Sequence, residues 1–152
     1  MLKAVENSKP TRTDYKLFTP TPTQWGDCDA LGHINNVMLL RYIESGRLDY
    51  FVRLCDFSLA PGMEQRFVIA NLEVGFLSQV HHPSALEVGT RISRLGNSSF
   101  DVDASIFQQG EDIPVLTTKG ICVWLDLINN CSQRIPDDVR QTIIEFEEED
   151  LA

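Results

Sequence analysis

A single change of hydrophobic period constrains this chain more than any other feature. Between Val37 and Leu54, the positions Leu39, Ile43, Gly46, Tyr50 and Leu54 recur every three or four residues, with Val37, Leu40 and Phe51 widening the stripe. That is the period of one helix face, and a helix apolar over so much of its circumference is largely buried. Beyond Pro61 and Gly62 the period drops to two: Val68, Ala70, Leu72, Val74 and Phe76 form one set, Asn71, Glu73 and Gly75 the other. This alternation predicts a half-buried strand. The pattern repeats at Leu86, Val88, Thr90 and Ile92, again at Phe100, Val102, Ala104 and Ile106, and Val115 to Leu125 supplies a fourth, more fully apolar run. Gly96 and Asn97, then Gln109, Gly110 and Glu111, provide turn chemistry between the runs. One long buried helix followed by strands on short turns predicts an α+β domain, an antiparallel β-sheet wrapped around one central helix. Gly46 disfavours a helix interior by roughly 1 kcal/mol against alanine, so close packing against the sheet is expected there.

The ends are less regular. Residues 15–25 read as a first strand, with Pro20 and Pro22 confining it to a sheet edge. Asn35 or Asn36 is the expected N-cap of the long helix, and a short helix over Asp137–Phe146 closes the fold. The domain therefore runs over 15–146. Residues 1–14, with Lys3, Lys9 and Arg12 among polar residues, form a loosely held arm, and 147–152 an acidic tail continuing the run that starts at Glu145. At 152 residues and 43% apolar composition there is material for one core. A net charge of -9 excludes a nucleic-acid partner, which needs a concentrated basic face. Cys28, Cys55, Cys122 and Cys131 lack CxxC spacing, and no leader pattern or run of 18 apolar residues is present. Free thiols, no membrane contact and a cytoplasmic location are expected.

The densest polar segment, Trp25 to Asn36, lies between the first strand and the helix. A loop feeding a helix N-terminus presents unpaired N–H groups and a positive dipole end, suited to a developing oxyanion. Asp27 reads as a capping residue. Glu44 and Arg47, three apart on the helix, are spaced to pair with each other. Asp27, Asp29 and His33 fall short of a metal set, because the other two histidines, His81 and His82, sit at a strand end and HExxH spacing is absent. Cys28 lies between two aspartates whose charges oppose a thiolate, so no cysteine nucleophile is expected.

Trp25, Asp27, Asp29, Gly32, His33, Asn35 and Asn36, with Tyr42, Glu44 and Arg47, resemble the signature of the 4-hydroxybenzoyl-CoA thioesterase-like branch of the hotdog superfamily. The resemblance extends over roughly residues 15 to 140. It implies a hotdog fold and an acyl-CoA thioesterase with Asp29 as nucleophile or general base and the Asn36 N–H polarising the thioester carbonyl. Gly32 keeps the loop clear for substrate, and His33 orients the carboxylate or meets the acyl group. Trp25, Asn35 and Leu39 fall on the substrate side. Where relatives carry basic residues at a sheet turn, this chain has Gly96, Asn97, Ser98 and Ser99, so Arg91, Arg94 or Arg134, helped by the Ser98 and Ser99 hydroxyls, would have to hold the nucleotide. Leu39, where relatives often have tyrosine, points to an aliphatic acyl group. The resemblance further implies a homodimer or homotetramer with shared sites, and no cofactor beyond the coenzyme A carried by the substrate. A hotdog dehydratase or hydratase, with Asp29 and His33 moving protons on the acyl chain, and a non-catalytic acyl-CoA or lipid sensor are the alternatives.

Overall fold

The computed structural model describes residues 9–57 and 64–152. Strand β1 (Leu17–Pro22) is followed by helix α1 (Asn36–Cys55), then by β2 (Gln65–Phe76), β3 (Ala85–Leu95), β4 (Ser99–Gln108), β5 (Leu116–Asp126) and the two-residue β6 (Cys131–Ser132), and helix α2 (Asp137–Glu147) ends the fold. The strands pair antiparallel in the order β1-β3-β4-β5-β2, with β6 on β5. The long helix packs on one face of this sheet, which is the hotdog arrangement the resemblance implies.

Alternation along β3, β4 and β5 sends Val88, Ile92, Phe100, Val102, Ile106, Leu116 and Cys122 inward, all at or near zero exposure. They form two clusters under α1. One surrounds its N-terminal half with Ile34, Leu39 and Ile43, the other its C-terminal half with Tyr50, Phe51 and Ile143 of α2. Gly46 lies between them, where an added Cβ would stand 2.5 Å from Val88 Cγ1 and 2.9 Å from Val88 Cβ, so the expected close approach is present.

Four expectations need correcting. First, β2 is not half-buried: none of its residues is buried, and Val68, Ala70 and Phe76 are exposed. A bulge between Ile69 and Asn71 shifts the alternation, and β2 ends the sheet with no strand on its outer side among the described residues. Second, Val37 is exposed at the first turn of α1 rather than part of the apolar stripe, while Tyr42 and Arg47 are buried. Third, Glu44 and Arg47 share no ion pair; Glu44 is exposed and Arg47 lies inside. Fourth, the acidic run is not simply solvated. Glu147 is 5% exposed and accepts hydrogen bonds from the Tyr50 hydroxyl (2.6 Å) and the Ile92 N–H (2.9 Å), the latter freed by a bulge between Ile92 and Arg94. Leu151 is buried and its carbonyl accepts from Leu95 N–H. Of the N-terminal arm, Lys3 lies outside the described residues, as do Pro61 and Gly62. Arg12 pairs with Glu87 at 2.7 Å and lies over the Phe18 and Phe107 rings.

Candidate active site

The segment between β1 and α1 builds its shape from backbone bonds. Trp25–Asp27 make one 3-10 turn. Asp27 then ties three pieces together: its Oδ2 accepts from the Gln24 N–H (3.2 Å) and from the Tyr42 hydroxyl, and its carbonyl accepts from Asn35 N–H (2.9 Å). Burial, then the hydrogen bond to Asp27 and that carboxylate's charge, push the Tyr42 phenol well above its ordinary value, which keeps it a donor. The expected capping role of Asp27 is therefore there, with a helix side chain added to it.

Residues 28–34 form a narrow loop closed by Asp29 N–H to the His33 carbonyl (2.8 Å) and Gly32 N–H to the Asp29 carbonyl (3.1 Å). Gly32 has φ +82°, a left-handed conformation that glycine adopts without strain, and its missing side chain faces open space. Inside this loop Asp29 Oδ1 accepts from Leu31 N–H (2.9 Å) and His33 N–H (3.3 Å). Its Oδ2 has no partner among the described residues. One oxygen is thus fixed by two backbone donors and the other is left for a reaction partner.

Ile34 N–H bonds to the Val80 carbonyl (2.7 Å), anchoring the loop to the segment before β3. Asn35 is the N-cap, its Oδ1 accepting from Val37 N–H at 2.8 Å and its carbonyl from Met38 and Leu39. The Asn36 N–H, first in α1, has no acceptor among the described residues, and neither does its side chain. A helix N-terminus with a free N–H beside a half-occupied carboxylate can bind a carbonyl oxygen and act on the carbon attached to it.

The three histidines converge here. The His33 and His81 rings meet edge to face with centroids 4.7 Å apart, and His82 Nδ1 lies 2.8 Å from Thr23 Oγ1. Sequence reasoning places His81 and His82 at a strand end and gives them no role at the site; the adjacent pair of histidines is the signal available. Trp25 (82% exposed), Leu31 and Val37 put large apolar side chains in solvent around the loop. Beside it, a groove of about 430 Å³ runs between β1 and α1, with Thr21, Gln24, Met38, Arg41 and Tyr42 among its walls.

The other expected site residues lie elsewhere in the protomer. Leu39 is buried in the core cluster under α1. Arg91 and Arg94 project from the outer face of the sheet, paired with Asp103 (3.3 Å) and Asp101 (2.7 Å). Ser99 Oγ accepts from Arg94, the Ser98 carbonyl from Trp124 N–H, and Arg134 bonds to Asn97 and Asp137. This turn packs near α2 and the C-terminal half of α1, toward the opposite end of that helix from the Asp29 loop. A hollow on the outer sheet face, also about 430 Å³, holds the Arg91–Asp103 pair and is separate from the Asp29 loop. Among the described residues, no three His, Cys, Asp or Glu side chains are grouped to hold a metal ion, and no helix is long and apolar enough to cross a membrane.

Residues 23–143, most of the chain and all of the site, match the Thioesterase-like superfamily. The chain belongs to this superfamily. Among its relatives in the thioesterase-like superfamily is the acyl-acyl carrier protein thioesterase ATL3, chloroplastic, of Arabidopsis thaliana, 30% identical over 83% of this chain. The chain spans 66% of that protein's length. A thioesterase of Thermus thermophilus, solved in complex with coenzyme A and Zn, is 27% identical over 91% of this chain and 98% of its own, with a TM-score of 0.76. The PA5185 protein of Pseudomonas aeruginosa superposes with a TM-score of 0.84 at 25% identity, covering 90% and 95% of the two chains.

Proposed function

We propose that this chain is an acyl-CoA thioesterase, releasing free acid and coenzyme A, with Asp29 as the catalytic carboxylate. Two observations support this reading: Asp29 keeps one carboxylate oxygen without a partner among the described residues, and the Asn36 N–H at the start of α1, seven residues on in the same segment, is unsatisfied. The N–H and the helix dipole draw charge onto the thioester oxygen as the tetrahedral intermediate forms. Asp29 Oδ2 either attacks the carbonyl carbon, giving after loss of the thiolate an acyl anhydride that water hydrolyses to the free acid and the restored carboxylate, or takes a proton from the water that attacks directly. Collapse of the intermediate expels the thiolate, and the pair His33 and His81 stands next to the loop to meet that group. The Trp25, Leu31 and Val37 rim suits an aliphatic acyl group. Coenzyme A in the Thermus relative supports that carrier, whereas the Arabidopsis relative is named for acyl carrier protein, so both carriers belong in the test. No cofactor is required, and we place the activity in the cytoplasm, where four unbridged cysteines are at home.

We also read the working unit as a homodimer or homotetramer. The long unpaired β2 edge, with Val68, Ile69 and Phe76 exposed along it, supports this.

The decisive experiment follows thiol release from acyl-CoA and acyl-carrier panels by wild type and an equally folded Asp29→Asn variant. A loss of about 100-fold or more, roughly 3 kcal/mol of transition-state stabilisation, is expected. Full activity in the variant overturns the assignment of Asp29, and a wild type inert toward every thioester overturns the activity.

A further inference from the structure

Among the described residues, Arg47 is the one charged side chain that is more than nine-tenths buried and yet makes no hydrogen bond or ion pair; its exposure is 8%. The other two buried charges are satisfied, Asp126 by Asn129, Gln133 and the Ile128 N–H, and Glu147 by Tyr50 and Ile92. A guanidinium taken out of water without a counter-charge is strongly destabilising, so this protomer presents an unmet demand for an anion.

The position of Arg47 says where the anion comes from. Tyr42 and Ser45 of α1 line the groove beside β1, and Asp49 accepts a hydrogen bond from Thr19 of β1, whereas Glu44 and Arg47 are on the opposite flank of the helix, the side of β5 and of the open edge β2. The opposite edge, β1, carries Pro20 and Pro22, which cannot donate to a further strand, whereas β2 has twelve residues and no proline. One turn before Arg47 on α1, Glu44 is exposed and is likewise without a partner. A two-fold interface makes each residue's contact reciprocal. An unpaired cation and an unpaired anion on the same helix flank, beside one open edge, are self-complementary under that symmetry.

We propose that Arg47 and Glu44 form a reciprocal ion pair between two copies of this chain joined along β2, Arg47 of each copy meeting Glu44 of the other. This rests on the assembly read above and names the charges that hold its register. It is independent of the thioesterase chemistry. The guanidinium, already taken out of water in the single chain, gains its counter-charge once the second copy is in place, and the pairing fixes how far one β2 can slide along the other.

The test is molar mass by light scattering after size exclusion, for wild type, E44R, R47E and an equimolar mixture of the two variants. Each variant alone sets like charges against each other at both contacts, and its mass is expected to fall to that of a single chain at concentrations where wild type is double or more. In the mixture every contact is again between opposite charges, so the double mass returns; ion pairing within one chain cannot produce that result. Glu44 is on the surface, so E44R is expected to keep the wild-type circular dichroism. If R47E does not fold alone, co-expression with E44R is expected to rescue it as a two-chain species. An E44R variant as associated as wild type, or a mixture that stays monomeric, overturns the ion pair while leaving the assembly standing. A monomeric wild type overturns both. Thiol release by the same samples reports separately on the activity.

Discussion

Asp27 and Asp29 are two residues apart and have unlike surroundings. Asp27 spends its carboxylate on Tyr42 and Gln24, whereas Asp29 holds one oxygen in its own loop and leaves the other open. If Asp27 works by fixing the loop against α1, Tyr42→Phe removes one hydrogen bond to a charged acceptor, about 1.5–3 kcal/mol. The expected outcome is a lower urea midpoint together with a fall in kcat at little-changed KM. Asp27→Asn keeps an acceptor for both donors and should retain most of the activity; equal damage from both variants would mean that the charge of Asp27, not its position, is needed. Much of this loop is legible in the sequence, because a cap, a glycine at a left-handed turn and a carboxylate beside a helix start each have local signals. His81 has none. It meets His33 only because Ile34 pairs with Val80, a contact between segments on either side of α1 and β2. Glu147 is equally illegible, since its partners Tyr50 and Ile92 come from two other elements.

At the level of the elements, α1 and α2 are attached to the sheet by different means. The contact of α1 with β3 depends on the bare Cα of Gly46, so Gly46→Ala is expected to destabilise by about 1–3 kcal/mol through overpacking. This would occur although alanine is the better helix former, and chemical denaturation would show a stabilised variant if the helix were free to move. Helix α2 is attached through Glu147. Burial holds that carboxyl above its ordinary value, opposed in part by the hydrogen bonds from Tyr50 and Ile92. The folded state therefore binds the proton more tightly than the unfolded chain. Its contribution is fully present below the ordinary glutamate range and is lost as pH rises through the folded value. Glu147→Gln should flatten that decline, so the variant gains on wild type in urea titrations as pH rises above the ordinary glutamate range; a constant difference would show that Glu147 does not change protonation there. The strands β3, β4 and β5 are legible because each is flanked on both sides, and the one bulge in β3 falls after Ile92, past the alternating run Leu86, Val88, Thr90 and Ile92. The alternation of β2 misleads because a bulge adds one residue to the strand and exchanges its faces, which periodicity alone does not reveal.

The molecule as a whole carries a net charge of -9, and the two sheet arginines considered for coenzyme A are already matched by Asp101 and Asp103. A polyanionic thioester then approaches against a repulsive field. Raising ionic strength from about 20 to 150 mM shortens the Debye length to about 8 Å, and KM for coenzyme A thioesters is expected to fall while kcat holds. A KM that rises with salt would instead reveal phosphate contacts strong enough to outweigh the field. The asymmetry between the two sheet borders has another consequence. A chain with two adhesive borders can add copies without limit and grow into fibres, as flat exposed strands do. Here the prolines of β1 stop growth on one side, so if two copies join through β2, the sticky border of both is used up in a single step. Such an assembly would be finite by arithmetic, and a long, proline-free edge strand that is otherwise an aggregation hazard would be made safe by the strand at the far border of the sheet.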